Sequence, residues 1–143
     1  MQRTYYYNCL PLIRKNKFGN LEEQKDDEAR YNKKENFYNK LKLLPRFKVK
    51  YGKLQLIDNI FKQKGIDVLM SLDIVDKCFL KQIKHAVVVA GDADFIPAIR
   101  KAKDFGAVVH LFCNKNSVNK ELLYAVDEVH DLQFSFIQDL KNN

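Results

Sequence analysis

The 143-residue chain has no tryptophan, five glycines, three prolines, three cysteines and two methionines. So little glycine and proline leaves no low-complexity linker, and no internal repeat divides the sequence. No apolar stretch approaches the roughly 20 residues that cross a bilayer, and the opening Met1-Gln2-Arg3-Thr4-Tyr5-Tyr6-Tyr7 lacks the apolar core of a signal peptide. A cytoplasmic protein with no membrane partner is the expectation. Cys9, Cys78 and Cys113 are odd in number, far apart, and at no ligand-like spacing to one another or to His85, His110 and His130. This argues against a disulfide framework and against zinc, and makes the cysteines small buried hydrophobes.

What is present is a chain 46% hydrophobic and 30% charged, enough for one globular domain, residues 1–143, around a single core. The net charge of +7 is unevenly spread. Residues 1–66 hold sixteen Lys and Arg against seven Asp and Glu, whereas residues 67–143 hold nine against eleven. A basic half attracts a phosphate backbone, and carboxylates close to that backbone need a cation between them. Charge alone is equally served by lysines that keep a small protein soluble.

Thr4 to Leu12 is aromatic and β-prone and stops at Pro11. The segment from Leu21 to Leu44 places Ala29, Phe37, Leu41 and Leu44 at spacings of one helical stripe, ended by Pro45. Phe47 to Leu56 alternates as a strand with one wet face, and Asp58 to Gly65 reads as a loop. Asp67 opens a helix of about fourteen residues whose Val68, Leu72, Val75 and Phe79 would pack on a sheet. Ala86-Val87-Val88-Val89-Ala90 is the continuous apolar run of a central parallel strand buried on both faces. Pro97 belongs in the first turn of the next helix, Gly106 ends it, and Ala107 to Cys113 is a further strand. Ser117 is the expected cap of a last helix, and Val129 to Phe136 an edge strand. Alternating strands and helices imply an α/β sandwich with a mostly parallel sheet.

Ligands of open parallel sheets bind beyond the carboxyl ends of the strands. Gly91-Asp92-Ala93-Asp94 follows the valine run at that position, with glycine expected to permit the turn and the next helix N-terminus adding positive partial charge. Two carboxylates a few ångströms apart repel by roughly 1–4 kcal/mol, which a divalent cation reverses, and oxygen-only ligands favour magnesium or manganese. The plainer alternative is that Asp94 caps a helix and Asp92 stabilises a turn. Asp67, at a helix start, can join the pair. Asp73 lies about 240° round the helix from Asp67 and is second tier, as is Asp127, whose default is a solvated carboxylate. Lys33, Lys34, Arg46, Lys48 and Lys64 are candidates to track a phosphate backbone, and Tyr5, Tyr6 or Tyr7 to stack on unpaired bases unless they simply pack.

Five blocks, Arg3 to Pro11, Leu56, Gln63-Lys64-Gly65-Ile66-Asp67 through Asp73, Val88-Val89-Ala90-Gly91-Asp92-Ala93-Asp94-Phe95-Ile96-Pro97 and Val108 to Phe112, resemble in order the NYN domains of the LabA-like, PIN-like nuclease superfamily. The resemblance implies a three-layer PIN-like α/β sandwich, a magnesium or manganese ion held by Asp67, Asp92 and Asp94, and hydrolysis of RNA phosphodiesters, with single-stranded RNA as partner. Asp73 matches a further acidic position of less settled role. That family begins with a strand carrying an aspartate, commonly followed two residues later by asparagine, and Met1 stands where its second strand should start. The alternatives left open are a later-assigned start, a strand supplied by a partner or by a second copy in a homodimer, and a degenerate RNA-binding module of the same fold. A phosphatase of the haloacid-dehalogenase type ranks last, because its amino-terminal Asp-x-Asp-x-Thr/Val block is missing from the sequence.

Overall fold

Aromatic residues organise the first part of the chain. In the computed structural model, which describes residues 2–11, 13, 21–57 and 60–132, β1 (Thr4–Asn8) runs parallel to β2 (Phe47–Tyr51), with Thr4 opposite Phe47 and Asn8 opposite Tyr51. Parallel neighbours require a crossover, and α1 (Leu21–Leu43) lies between them in sequence. Tyr6 meets Phe37 edge-on and Tyr38 at 5.8 Å, and Tyr38 meets Tyr51 at 5.6 Å. The expected stripe of Ala29, Phe37, Leu41 and Leu44 is not what the helix buries. Ala29, Phe37 and Leu44 are exposed, while Asp27 and Tyr38 are buried. Tyr38 tolerates full burial because its hydroxyl donates to the Cys9 carbonyl at 3.1 Å, and the loss of water pushes its pKa up to about 12.

The expected strand from Phe47 to Leu56 breaks at Gly52 into β2 and β3 (Lys53–Ile57). A β-carbon at Gly52 would stand 2.8 Å from Cys9 Sγ and 3.0 Å from Ile66 Cδ1, so only glycine fits. The segment read as a loop instead forms β4 (Ile60–Lys64), antiparallel to β3 with Ile57 opposite Ile60. Gly65, at φ +80°, then turns the chain into α2 (Ile66–Phe79).

The chain divides into two compact units, residues 1–69 and 70–143, with α2 beginning in the first and continuing into the second. The second holds a three-stranded parallel sheet in the order β5 (His85–Val89), β6 (Val108–Cys113), β7 (Glu128–Asp131). Between these strands come a 3-10 turn (Ala93–Phe95), α3 (Ile96–Asp104) and α4 (Lys120–Ala125). Pro97 opens α3 as expected. Gly106, at φ +85°, closes it: its N–H bonds the Lys103 carbonyl, and that of Ala107 bonds the Ala102 carbonyl. The cap of α4 is Asn119, not Ser117, because the Asn119 side chain reaches the Glu121 N–H at 2.8 Å. Of the expected Val129 to Phe136 strand, residues 129–131 lie in β7, and residues 133–136 lie outside the described residues.

Two packing expectations are corrected in this unit. Strand β5 is not buried on both faces: Ala86 and Val88 are, but Val87 and Val89 are 65% and 67% exposed. The helix residues of this core, Ile74 and Cys78 from α2, Ile96, Ile99 and Ala102 from α3, and Leu122 and Ala125 from α4, share one buried cluster with Ala86, Val88, Val109 and Leu111. Likewise α2 uses Ile74 and Cys78 inward and leaves Val68, Leu72 and Phe79 more than 60% exposed. The helix carries apolar residues on more than one row, and periodicity does not say which row packs. All three cysteines are free and buried, and burial pushes the Cys78 and Cys113 thiols up. The α/β class with parallel strands is thus realised in two of the sheets, and no helix of the described residues is long and apolar enough to cross a membrane.

Candidate metal-binding site at the end of a parallel strand

Beyond Val89 the chain leaves the sheet through Ala90 and Gly91 and reaches Asp92, which caps the 3-10 turn. Asp92 Oδ1 accepts the Asp94 N–H at 3.0 Å, and the Phe95 N–H reaches the Asp92 carbonyl at 3.4 Å. Phe95 and Ile96 are buried at 5% and 8% exposure, which fixes the turn to the core and leaves the Asp92 and Asp94 carboxylates in solvent. Gly91 does not need to be glycine for the turn: its φ is not positive, and an added β-carbon would meet nothing within 4 Å.

Asp92 and Asp94 are therefore brought together, at the carboxyl end of β5, with α3 beginning two residues beyond Asp94. Among the described residues no lysine or arginine pairs with either. Two exposed carboxylates on one tight turn with no cationic partner are oxygen donors suited to a hard divalent cation. Asp67 lies in the first turn of α2, exposed, in the first unit.

The second-tier aspartates are committed elsewhere. Asp73 Oδ1 pairs with Lys77 Nζ at 3.4 Å, one turn along α2. It lines a groove of about 440 Å³ with Leu72, Val75, Asp76, Phe79 and Phe105 that includes neither Asp92 nor Asp94. Asp127 joins elements. Its Oδ2 accepts the Val109 N–H at 2.8 Å, and its Oδ1 meets Lys103 Nζ at 3.0 Å, while the same ammonium donates to the Ala125 carbonyl at 3.1 Å. The Val109 hydrogen bond first, and Lys103 after it, hold this carboxyl below the ordinary range despite some desolvation.

A depressed folded-state pKa means that Asp127 stabilises the fold above its unfolded pKa near 3.8 and that this contribution fades as pH falls through the lower folded value. Asp127→Ala should cost about 1–3 kcal/mol at pH 7, because the Val109 N–H is left without its acceptor. Acid unfolding followed by circular dichroism should be shallower below pH 4 in Asp127→Asn, and curves superimposable on wild type would contradict this role.

Of the basic candidates, Lys33 projects from α1, Arg46 sits at φ 60° in the turn before β2, and Lys48 lies on β2, all exposed. Lys34 is half-buried, its Nζ 3.5 Å from Asn8 Oδ1. The Lys64 side chain lies outside the described residues. The tyrosines divide by strand face: Tyr6 packs against α1, while Tyr5 and Tyr7 stack on each other at 6.4 Å with Lys50 Nζ 5.5 Å over the Tyr5 ring.

A group that spacing did not suggest is on β6 and β7, where one donor atom each from His110, Glu128 and His130 lies within 4.8 Å of the others. The residues are brought together by strand register, His110 opposite Glu128 and Phe112 opposite His130. The only sequence trace is Glu128-Val129-His130, whose alternation puts two donors on one face.

In comparisons with known proteins, the sequence model of the NYN domain family matches residues 4–133. A solved structure of a protein of unknown function from Vibrio parahaemolyticus RIMD 2210633 is similar in fold, with a TM-score of 0.60 and 17% identity over 71% of this chain. The chain spans 62% of the length of that protein. No protein with a curated description matches.

Proposed function

The chain belongs to the NYN domain family, a family of nuclease type, and from that premise we propose that it is a magnesium- or manganese-dependent ribonuclease whose Asp67, Asp92 and Asp94 hold the metal. The observation that carries the reading is the turn after β5, where a buried Phe95 fixes two exposed aspartates that lack any cationic partner among the described residues. A salt-bridged carboxylate has its charge neutralised nearby, as Asp73 and Asp127 do. Asp92 and Asp94 do not. When bound, such an ion supplies Lewis-acid stabilisation of the charge that develops on the scissile phosphate. The chain's own contribution is to hold the donors in place before substrate arrives, through the Asp92 to Asp94 hydrogen bond and the Phe95 anchor. Asp67 joins the pair in this proposal as the acidic first-turn residue of α2.

Lys33, Lys34, Arg46, Lys48 and Lys64 are proposed to track the phosphate backbone, with single-stranded RNA as substrate. Labelled single-stranded RNA incubated with the protein and magnesium or manganese should be cleaved, the cleavage should stop with chelator, and Asp94→Asn should be slowed by about 100-fold or more. Equal rates in wild type and Asp94→Asn would overturn the assignment. Salt-sensitive RNA binding with no metal-dependent cleavage would leave a binding module of the same fold.

A further inference from the structure

The exposed face of the second unit's sheet carries a line of imidazoles, one from each strand. The His85 and His110 rings stack at 5.4 Å, the His110 and His130 rings at 5.8 Å, and Phe112 lies against His130 at 4.4 Å and 14°. Strand geometry explains the alignment. Alternate residues share a face, and parallel pairing sets His110 beside Glu128 and Val87, and His130 beside Phe112.

We infer that His110, Glu128 and His130 form a binding site for a divalent transition metal of the zinc class, with His85 as the positioning residue for His110. The distances fit the chemistry. His110 Nδ1 lies 3.1 Å and His130 Nε2 3.5 Å from the same Glu128 oxygen, Oε2. Tetrahedral ligands at zinc bond lengths are separated by about 3.3 Å. Two imidazole nitrogens and one carboxylate oxygen suit zinc and its neighbours and do not suit magnesium, and they leave a fourth position for water.

A proton-only network is the plainer reading, and it fails at one atom. If His85 donates Nδ1–H to His110 Nε2 at 3.1 Å, and His110 donates Nδ1–H to Glu128, those two bonds are satisfied. His130 Nε2 is then left buried without a hydrogen-bond partner, although it stands beside the Glu128 carboxylate. With a metal among the three donors, every group has a use. His130 Nε2 becomes a ligand, and the Phe112 ring holds its plane. The His110 Nε2–H then donates to His85 Nδ1, which fixes the tautomer that frees Nδ1, the arrangement expected around a ligating histidine. This site lies on the sheet face in mid-strand, whereas Asp92 and Asp94 follow the end of β5.

The test uses the full-length protein with zinc alone, and with cobalt as a spectroscopic substitute, without RNA. Wild type should bind one equivalent of zinc at micromolar protein by calorimetry. The cobalt form should show the visible absorption of a four-coordinate ion with nitrogen ligands. His130→Gln and the double variant His110→Gln/His130→Gln should lose about 100-fold or more in affinity, and His85→Gln about 10- to 100-fold. Asp92→Asn should bind zinc as wild type does, so this outcome stands apart from the fate of the nuclease reading. Zinc should also raise the thermal midpoint of wild type and not that of the double variant. Absence of stoichiometric zinc binding by wild type, or undiminished binding by the double variant, would overturn the site.

Discussion

Leu111→Ala should lower the unfolding free energy by about 2–5 kcal/mol, among the largest losses a single truncation can produce here. Leu111 is fully buried at 0% exposure in the middle strand of its sheet and belongs to a core with Val88, Val109, Ile99 and Leu122. Removing its branched end strips apolar surface from that core and leaves a cavity, because strands β5 and β7 hydrogen-bond on both edges of β6 and prevent collapse into the space. The thermal midpoint should fall by about 4 °C for each kcal/mol lost. Val89→Thr, one strand away on the opposite face and 67% exposed, should change stability by less than about 0.5 kcal/mol. The contrast can be read by thermal melts of both variants at 222 nm. A large loss at Val89 with a small one at Leu111 would mean that the assigned faces are reversed.

Leu111 and Val89 also mark what a sequence encodes locally and what it does not. The run from Ala86 to Ala90 reads as a strand, and Gly91 to Phe95 as a turn directly after it. Both are local statements, and both correspond to the structure. Which valines face the core is not local. A continuous apolar run has no polar alternation, so one-sided and two-sided burial look alike in sequence, and only the helices packed on Ala86 and Val88 separate them. Helix α2 has the same ambiguity, since its apolar residues fill two rows and the packed row holds Ile74 and Cys78. Tyr38 is not legible as a core residue in sequence, because a hydroxyl reads as a surface group until the Cys9 carbonyl that satisfies it is known.

The site divides along the same line. Asp92 and Asp94 are two residues apart, so their place on one turn after β5 is legible in the sequence. The His110, Glu128 and His130 group depends on the register of β6 against β7, which no spacing encodes, and the lack of ligand-like spacing between the cysteines and the histidines says nothing about it. Asp127 was equally opaque. Its default as a solvated carboxylate missed the Val109 N–H because that contact is set by where β7 begins beside β6.

Asp92→Asn should reduce metal-dependent RNA cleavage by about 100-fold or more, about 2.7 kcal/mol of barrier, while leaving stability within about 0.5 kcal/mol of wild type. The two halves of this expectation separate the two roles open to Asp92. As a cap, its Oδ1 accepts the Asp94 N–H at 3.0 Å. Asparagine presents an amide oxygen in the same place and ranks with aspartate as a capping residue. As a metal ligand, the same side chain contributes a negative charge and a second strong oxygen donor, and the amide removes both. Asp92→Ala loses charge and cap together, so it should match the asparagine variant in lost activity and add about 1 kcal/mol of destabilisation. Cleavage rates with magnesium and with manganese, set beside thermal midpoints for the three proteins, distinguish the cases. If Asp92 only caps the turn, Asp92→Asn behaves as wild type in both measurements, and Asp92→Ala differs in stability alone. If the carboxylate serves the metal, activity falls equally in both variants and stability falls in only one.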